Sequence, residues 1–206
     1  MNLIDRKGCI EVICGPMFSG KTEALINRVK FAITQGKKVQ VFKPIIDDRY
    51  NPLLVNSHNG LSIDAISIKN GKEILELLDK DVEIIAIDEI QFFDKEILDV
   101  LKIVAKSGVR IIANGLDLDF RGEPFGIMPY VLALAEYIDK LTSVCQICQK
   151  PATMTQRLVN DKPAKYNEPT ILIGASDSYE PRCRNCHEII REEKTLDLNH
   201  LTYATK

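Results

Sequence analysis

The octapeptide Gly15-Pro16-Met17-Phe18-Ser19-Gly20-Lys21-Thr22 matches the pattern G-x-x-x-x-G-K-[ST]. It follows a short apolar run at residues 8–14, which is rich in β-branched side chains and typical of a buried strand. Residues 21–35 place apolar side chains at helical spacing, and Gly36 follows as a typical helix end. A strand, a glycine-containing loop and a helix in this order indicate the phosphate-binding loop of an α/β fold.

The chemistry of this octapeptide suits a nucleoside triphosphate. Glycines let backbone N–H groups converge on phosphate oxygens, and the N-terminus of the following helix adds partial positive charge. Lys21 can reach the β- and γ-phosphates, and Thr22 can ligate Mg²⁺. We therefore predict that the whole octapeptide, residues 15–22, binds ATP with Mg²⁺.

Further apolar segments continue the alternation of strands and helices. Strands are predicted at 39–42, 84–87 and 109–113, and residues 97–105 between the last two have helical spacing. Strands that alternate with helices imply parallel pairing and right-handed crossovers. Residues 44–62 have no clear periodicity, so we expect a loop there, and long loops in compact domains are often functional.

An acidic pair follows the predicted strand at 84–87. Because side chains alternate along a strand, Asp88 and Glu89 should point in different directions. Asp88 suits association with Mg²⁺, and a carboxylate neutralised by a metal is a poor proton acceptor. Glu89 is therefore the better candidate for a general base. The alternative is an exposed acidic pair that caps a helix near Asp94.

The composition is that of an ordinary globular protein. The 206 residues are 45% hydrophobic and carry a formal net charge of −2, which excludes collagen, coiled-coil and disordered chains. The near-neutral charge argues against a dedicated nucleic-acid binder. No apolar run reaches the about 18 residues of a membrane span, and the N-terminus lacks a signal peptide. We therefore expect a cytoplasmic protein.

Four of the six cysteines form two C-x-x-C pairs, Cys145 with Cys148 and Cys183 with Cys186. Four thiolates close a tetrahedral zinc site and leave no position open, so we predict a structural zinc. His187 follows directly and stays an alternative to Cys186, although the spacing favours the cysteine. The chain between the pairs, about 159–182, should form a loop whose two ends the metal holds together.

Several segments together resemble the type II thymidine kinase family, the cytosolic, zinc-containing type. They are the octapeptide and residues 88–93, 115–125 and 179–187, and the resemblance covers nearly the whole chain in order. It implies transfer of the γ-phosphoryl of ATP to the 5′-hydroxyl of thymidine, and usually of deoxyuridine, in nucleotide salvage for DNA synthesis. The products would be dTMP and ADP. The resemblance also implies a homotetramer that is inhibited by dTTP.

The same resemblance implies roles for individual residues. Glu89 becomes the base that accepts the 5′-hydroxyl proton, and Lys21, Thr22 and Asp88 serve the triphosphate and its Mg²⁺. Three more residues are implied on the ATP and Mg²⁺ side, namely Asp47, Arg49 and Gln91. The residues implied around the nucleoside are Met17, Phe92, Leu116, Phe120, Phe125, Thr155 and Tyr179, with the backbone of Ile171, Leu172, Ile173, Gly174 and Ala175.

We therefore predict an α/β fold class. A P-loop, RecA-like parallel sheet flanked by helices should occupy residues 1–141, and residues 142–195 should form a small zinc-organised domain with a loop that closes over the substrate. Residues 196–206 would be a C-terminal tail.

The alternative function is a zinc-ribbon P-loop ATPase acting on nucleic acid, since residues 88–91 superficially resemble the D-E-x-x of helicases. The chain is too short for a second motor domain, and it has neither a basic stretch longer than a pair nor the later helicase motifs. We therefore expect ATP and thymidine as partners, and neither nucleic acid nor a membrane.

Overall fold

The computed structural model describes residues 8–45, 54–57, 59–170 and 178–191. The four α-helices within these residues are α1 (Lys21–Thr34), α2 (Glu73–Leu77), α3 (Ile97–Lys106) and α4 (Met128–Leu134), and residues Ile90–Phe92 form a short 3-10 helix. The strands up to the first cysteine pair are β1 (Ile10–Cys14), β2 (Val39–Pro44), β3 (Leu54–Asn56), β4 (Ser62–Asp64), β5 (Ile66–Ile68), β6 (Ile84–Ile87), β7 (Arg110–Gly115), β8 (Tyr137–Lys140) and β9 (Ser143–Val144). The remaining strands are β10 (Pro151–Ala152), β11 (Met154–Val159), β12 (Lys162–Pro163) and β13 (Ser178–Arg182).

Six strands form one parallel sheet in the order β5-β2-β6-β7-β1-β8. The predicted α/β class and the predicted strands of this sheet are confirmed. Strand β8 was not predicted, because all four of its residues are exposed and the strand therefore has no apolar run. Strands β3 and β4 pair as a small antiparallel hairpin inside the segment predicted as a loop.

Alternating side chains on the central strands pack into two apolar layers. Ile85 and Ile87 of β6 contact the layer that contains α2, α3 and α4, whereas Ile84 and Ala86 face the layer of α1. All four are buried, because helices cover both faces of the sheet. This packing fixes the positions of the segments that follow β1, β6 and β7 at the carboxyl edge of the sheet, where ligands of parallel sheets bind.

A second region is built from short antiparallel strands, and we call residues 143–170 and 178–191 the cysteine region. It holds the hairpin of β9 with β10 and a three-stranded sheet in the order β12-β11-β13. Pairing of β11 with β13 runs from Met154 opposite Arg182 to Leu158 opposite Ser178. This backbone pairing joins the two ends of the loop in addition to the cysteines, whereas the sequence suggested the metal alone. The domain boundaries at 141 and 195 stay a prediction.

The longest helix among the described residues is α1, with 14 residues. No helix in that part of the chain combines the length and the apolar character that crossing a bilayer requires.

Candidate active site

The octapeptide forms a tight loop between β1 and α1. Gly15 has φ 143°, and a Cβ there would lie 2.4 Å from the Leu141 carbonyl oxygen, so only glycine fits. Gly20 has φ 83° and caps α1 at its N-terminus, where the first backbone N–H groups of the helix have no partner within the helix. Both glycines therefore allow the close backbone turn that a phosphate requires.

Lys21 lies at the base of this loop and is only 6% exposed. Its Nζ donates a hydrogen bond to the Pro16 carbonyl oxygen at 2.7 Å. Burial lowers the pKa of Lys21, while the carboxylates of Glu89, Asp117 and Asp88 oppose that shift. The ammonium group is thus held inside the loop, in a low-dielectric environment in which it would interact strongly with a phosphate.

Asp88 follows β6 and is 8% exposed. Its Oδ1 is buried and has no hydrogen-bond partner among the described residues. Burial and the neighbouring Glu89 raise the pKa of Asp88 to about 7, against the effects of Asn114, Lys21 and Lys43. A buried carboxylate oxygen without a donor is costly, and a cation with oxygen ligands such as Mg²⁺ would satisfy it. The residue present therefore fits the predicted metal role.

Glu89 adopts left-handed backbone geometry, with φ 50° and ψ 45°. This conformation is uncommon for a residue with a Cβ and persists where surrounding contacts enforce it. Here the Glu89 N–H donates to Asn114 Oδ1 at 3.0 Å, and the Gln91 Nε2 donates to Glu89 Oε2. Strain of this kind concentrates at functional sites, which supports a functional role for the half-buried Glu89 carboxylate.

The cysteine region brings together four sulfur atoms that all lie within 4.8 Å of one another, those of Cys145, Cys148, Cys183 and Cys186. Zinc–sulfur bonds of about 2.3 Å put the sulfurs of a tetrahedral site about 3.8 Å apart, so the cluster fits a metal ion after slight contraction. His187 is not part of this cluster, and its Nε2 forms a hydrogen bond with the Phe120 carbonyl oxygen at 2.9 Å. The structure thus assembles Cys186 with the other three cysteines.

One protein family includes both the phosphate-binding loop and the cysteine cluster. A family model described as thymidine kinase matches residues 8–187, which is most of the chain. The chain belongs to the thymidine kinase family. Membership implies an ATP-dependent kinase, and the match spans both the phosphate-binding loop and the cysteine cluster.

In this thymidine kinase family member, the phosphate-binding loop contacts the cysteine region directly. The Met17 N–H donates to Thr155 Oγ1 of β11 at 3.0 Å, and Ser143 Oγ of β9 donates to the Phe18 carbonyl oxygen at 3.0 Å. Met17 and Thr155 were both predicted near the nucleoside, and the structure brings them together. The phosphate-binding loop and strands β9 and β11 are therefore neighbours.

Three aromatic residues predicted near the nucleoside lie in or beside the segment after β7. The Phe92 and Phe125 rings meet edge to face, with centroids 5.5 Å apart. Phe120 is 3% exposed, and its ring contacts the guanidinium groups of Arg121 and Arg157 at 4.8 and 5.1 Å from the ring centroid. Phe120 is thus already packed against two cations, which limits how much of its ring a nucleoside could contact.

Two arginines that the sequence did not indicate as functional contact residues 166–169, which belong to the loop predicted to close over the substrate. Arg157 is fully buried, donates to the Pro169 carbonyl oxygen at 2.7 Å and pairs with Glu168 at 3.3 Å. Arg121 donates to the carbonyl oxygens of Tyr166 and Glu168, both at 2.7 Å. Nothing local in the sequence distinguishes these arginines from surface arginines, because their partners lie far along the chain.

The other predicted residues of the nucleoside and ATP sides divide into two groups. Leu116 follows β7 directly and is half-buried, and Tyr179 lies on β13 opposite Arg157. Asp47, Arg49 and the segment from Ile171 to Ala175 lie outside the described residues.

Proposed function

We propose that this protein is a thymidine kinase that transfers the γ-phosphoryl group of ATP to the 5′-hydroxyl of thymidine, giving dTMP and ADP. We expect deoxyuridine to be accepted as well, because one methyl group contributes only about 1–3 kcal/mol of discrimination. The hydrogen bond from Met17 to Thr155 carries this proposal, since it sets the phosphate-binding loop against the predicted nucleoside side. Family membership supports the same reaction.

In the proposed mechanism, Lys21 and the backbone of residues 15–22 bind the triphosphate. Phosphoryl transfer passes through a loose transition state, so most of the catalysis is positioning and electrostatic stabilisation. Mg²⁺ would be held by Thr22 and Asp88, and when bound it would neutralise charge on the phosphates. Asp47 and Arg49 are proposed to act on the triphosphate as well, as the family resemblance implies.

Glu89 is proposed to accept the proton of the 5′-hydroxyl. Its contact with Gln91 leaves Oε1 free of that amide, and general base catalysis typically contributes a factor of about 10²–10⁴. The nucleoside would contact residues of both regions of the molecule. They are Met17, Phe92, Leu116, Phe120, Phe125, Thr155, Tyr179 and the backbone of residues 171–175.

The cysteine cluster is proposed to bind a structural zinc that closes the cysteine region around β11 and β13. Four cysteine ligands complete a tetrahedron, so this metal would take no part in the chemistry. We further propose a cytoplasmic homotetramer that dTTP inhibits, as the family resemblance implies. Family membership does not favour the alternative of a nucleic-acid-dependent ATPase.

The test is ADP release with ATP and Mg²⁺ in the presence of thymidine, deoxyuridine, deoxycytidine, deoxyguanosine or single-stranded DNA. We expect turnover with thymidine and deoxyuridine only. Glu89→Gln should bind ATP normally and lose about 10²–10⁴ in rate. Stimulation by DNA without stimulation by nucleosides would overturn the proposed reaction, and near-normal turnover of Glu89→Gln with thymidine would overturn the base assignment.

A further inference from the structure

Gln91 lies between the proposed base and the segment that follows β7. Its side chain is 3% exposed and makes a hydrogen bond at each end. Nε2 donates to Glu89 Oε2, and Oε1 accepts the Leu116 N–H at 3.1 Å. The amide therefore joins the Glu89 carboxylate to the backbone of a residue on the predicted nucleoside side.

The surroundings leave this side chain little freedom. A Cβ on Gly115 would lie 2.2 Å from Gln91 Oε1, and a Cβ on Gly126 would lie 2.5 Å from the Gln91 carbonyl oxygen. Gln91 also belongs to the short 3-10 helix Ile90–Phe92, which begins directly after the strained Glu89. Backbone and side chain are thus both held in place, and two glycines supply the space that the residue occupies.

We propose that Gln91 is a positioning residue that orients Glu89. The inference rests on the proposed function, because it takes Glu89 as the base. Engaging Oε2 restricts rotation of the carboxylate, and small errors in the position of a reacting group cost up to about 10²-fold in rate. The hydrogen bond from the Leu116 N–H to Gln91 Oε1 links the orientation of the Glu89 carboxylate to the segment that would contact the nucleoside.

Two substitutions separate this role from ATP binding. Gln91→Met keeps the length of the side chain and removes both hydrogen bonds, while Gln91→Leu removes the same two bonds with a branched side chain, and neither variant adds a charge beside Glu89. We expect both variants to lower kcat by about 10- to 100-fold. The KM and Kd for ATP should change by less than about twofold, since an interaction made only with the base does not contribute to ATP binding. A rise in the Kd for ATP with unchanged kcat would overturn the proposal.

A double-substitution cycle then tests whether Gln91 acts through Glu89. In single-turnover reactions with ATP, Mg²⁺ and thymidine, Gln91→Met should cost less than about twofold when Glu89→Gln is already present, because no base remains to be oriented. The same 10- to 100-fold loss in both backgrounds would overturn the positioning role. Near-normal activity of Glu89→Gln alone would instead overturn the base assignment. If Gln91→Met does not fold, Gln91→Leu, which likewise introduces no carboxylate, completes the same cycle.

Discussion

The six-stranded sheet and the cysteine region reach defined geometry by different physical means. The sheet packs two apolar layers, in which each fully buried aliphatic side chain stabilises the fold by about 1.5–3 kcal/mol. The cysteine region has short strands, the buried Arg157 and a cluster of four thiols. We therefore expect the sheet to hold its site without a metal, and the cysteine region to require its polar contacts and the ion that its cysteines fit.

This difference extends to the charged groups of the two regions. At the edge of the sheet, the carboxylate oxygen Asp88 Oδ1 is buried without a partner among the described residues, at the position where a metal and phosphates are proposed to bind. In the cysteine region, Arg157 instead satisfies its charge within the protein. The sheet thus leaves a buried polar oxygen unpaired where ligands are proposed to bind, whereas the cysteine region pairs its buried charge with protein groups that fix its shape.

The largest effect should come from Lys21→Met, which removes the buried cation of the phosphate-binding loop. We expect turnover to fall by about 10³-fold or more, since electrostatic stabilisation is the largest single contribution in such sites. ATP binding should also weaken, whereas thymidine binding should change by less than about threefold. Steady-state kinetics and calorimetric titration of each ligand measure this, and equal weakening of both ligands would contradict the separation of the two regions.

Arg157→Met should destabilise chiefly the cysteine region, together with the packing of Phe120 that Arg157 contacts outside it. Losing the bond to Pro169 and the pair with the partly exposed Glu168 should lower the free energy of unfolding by about 2–4 kcal/mol. We expect a higher KM for thymidine with an unchanged KM for ATP. Arg184→Met, at an exposed position of the same region, is the matched control and should change neither value. A raised KM for ATP in Arg157→Met would show that the regions are not separable in this way.

Asp88→Asn should stabilise the sheet while abolishing activity. Burial and Glu89 raise the pKa of Asp88 to about 7 from an ordinary value of 3.8. The buried Asp88 carboxylate therefore destabilises the folded state when it is ionised. This cost is absent well below pH 3.8, grows as the pH rises towards 7 and is fully present above 7, because the folded state then carries the buried charge. The substitution should therefore raise the free energy of unfolding by about 1–3 kcal/mol at pH 8, and by less at pH 5. Urea unfolding of both proteins at the two pH values measures the increase in the free energy of unfolding. An increase at pH 5 that equals or exceeds the increase at pH 8 would contradict this prediction.

The smallest effect should come from Tyr166→Phe, which removes the hydroxyl that donates to Glu123 Oε1. Both partners lie near the surface, so the free energy of unfolding should fall by about 1 kcal/mol or less. Thermal unfolding of this variant beside Arg157→Met shows whether buried contacts dominate the cysteine region. Equal destabilisation by the two substitutions would refute that ranking.

How far the sequence predicts this molecule differs between the two regions. The apolar runs of β1, β6 and β7 and the octapeptide predict the sheet, the loop and the position of Glu89, because local pattern and spacing determine all of them. The two C-x-x-C pairs predict the sulfur cluster for the same reason. Strand β8 was missed because it is exposed on an edge, and Arg121 and Arg157 were missed because their partners are set by tertiary contacts.

The amide of Gln91 shows the same limit at the candidate site. The family resemblance implies a role on the ATP side, and the structure adds contacts of the amide with Glu89 and with the Leu116 backbone. The contact with Leu116 is apparent only once β6 and β7 lie side by side, because Leu116 is distant in sequence. Contacts between the ends of neighbouring strands were thus the main feature that the sequence could not supply.

Removing the metal tests most directly whether the sheet keeps its structure and its ATP site when the cysteine region loses its order. Zinc would be stripped from the protein with a chelator, and binding of ATP and of thymidine would be measured beside hydrogen exchange, with zinc added back as the control. We predict that β1, β6 and β7 keep their protection and that ATP affinity changes by less than about threefold. Protection of β11 and β13 and thymidine binding should both be lost, since structural zinc contributes about 10–16 kcal/mol of apparent binding energy in small sites. Simultaneous loss of ATP binding and of protection in the sheet, or retention of thymidine binding, would contradict this account.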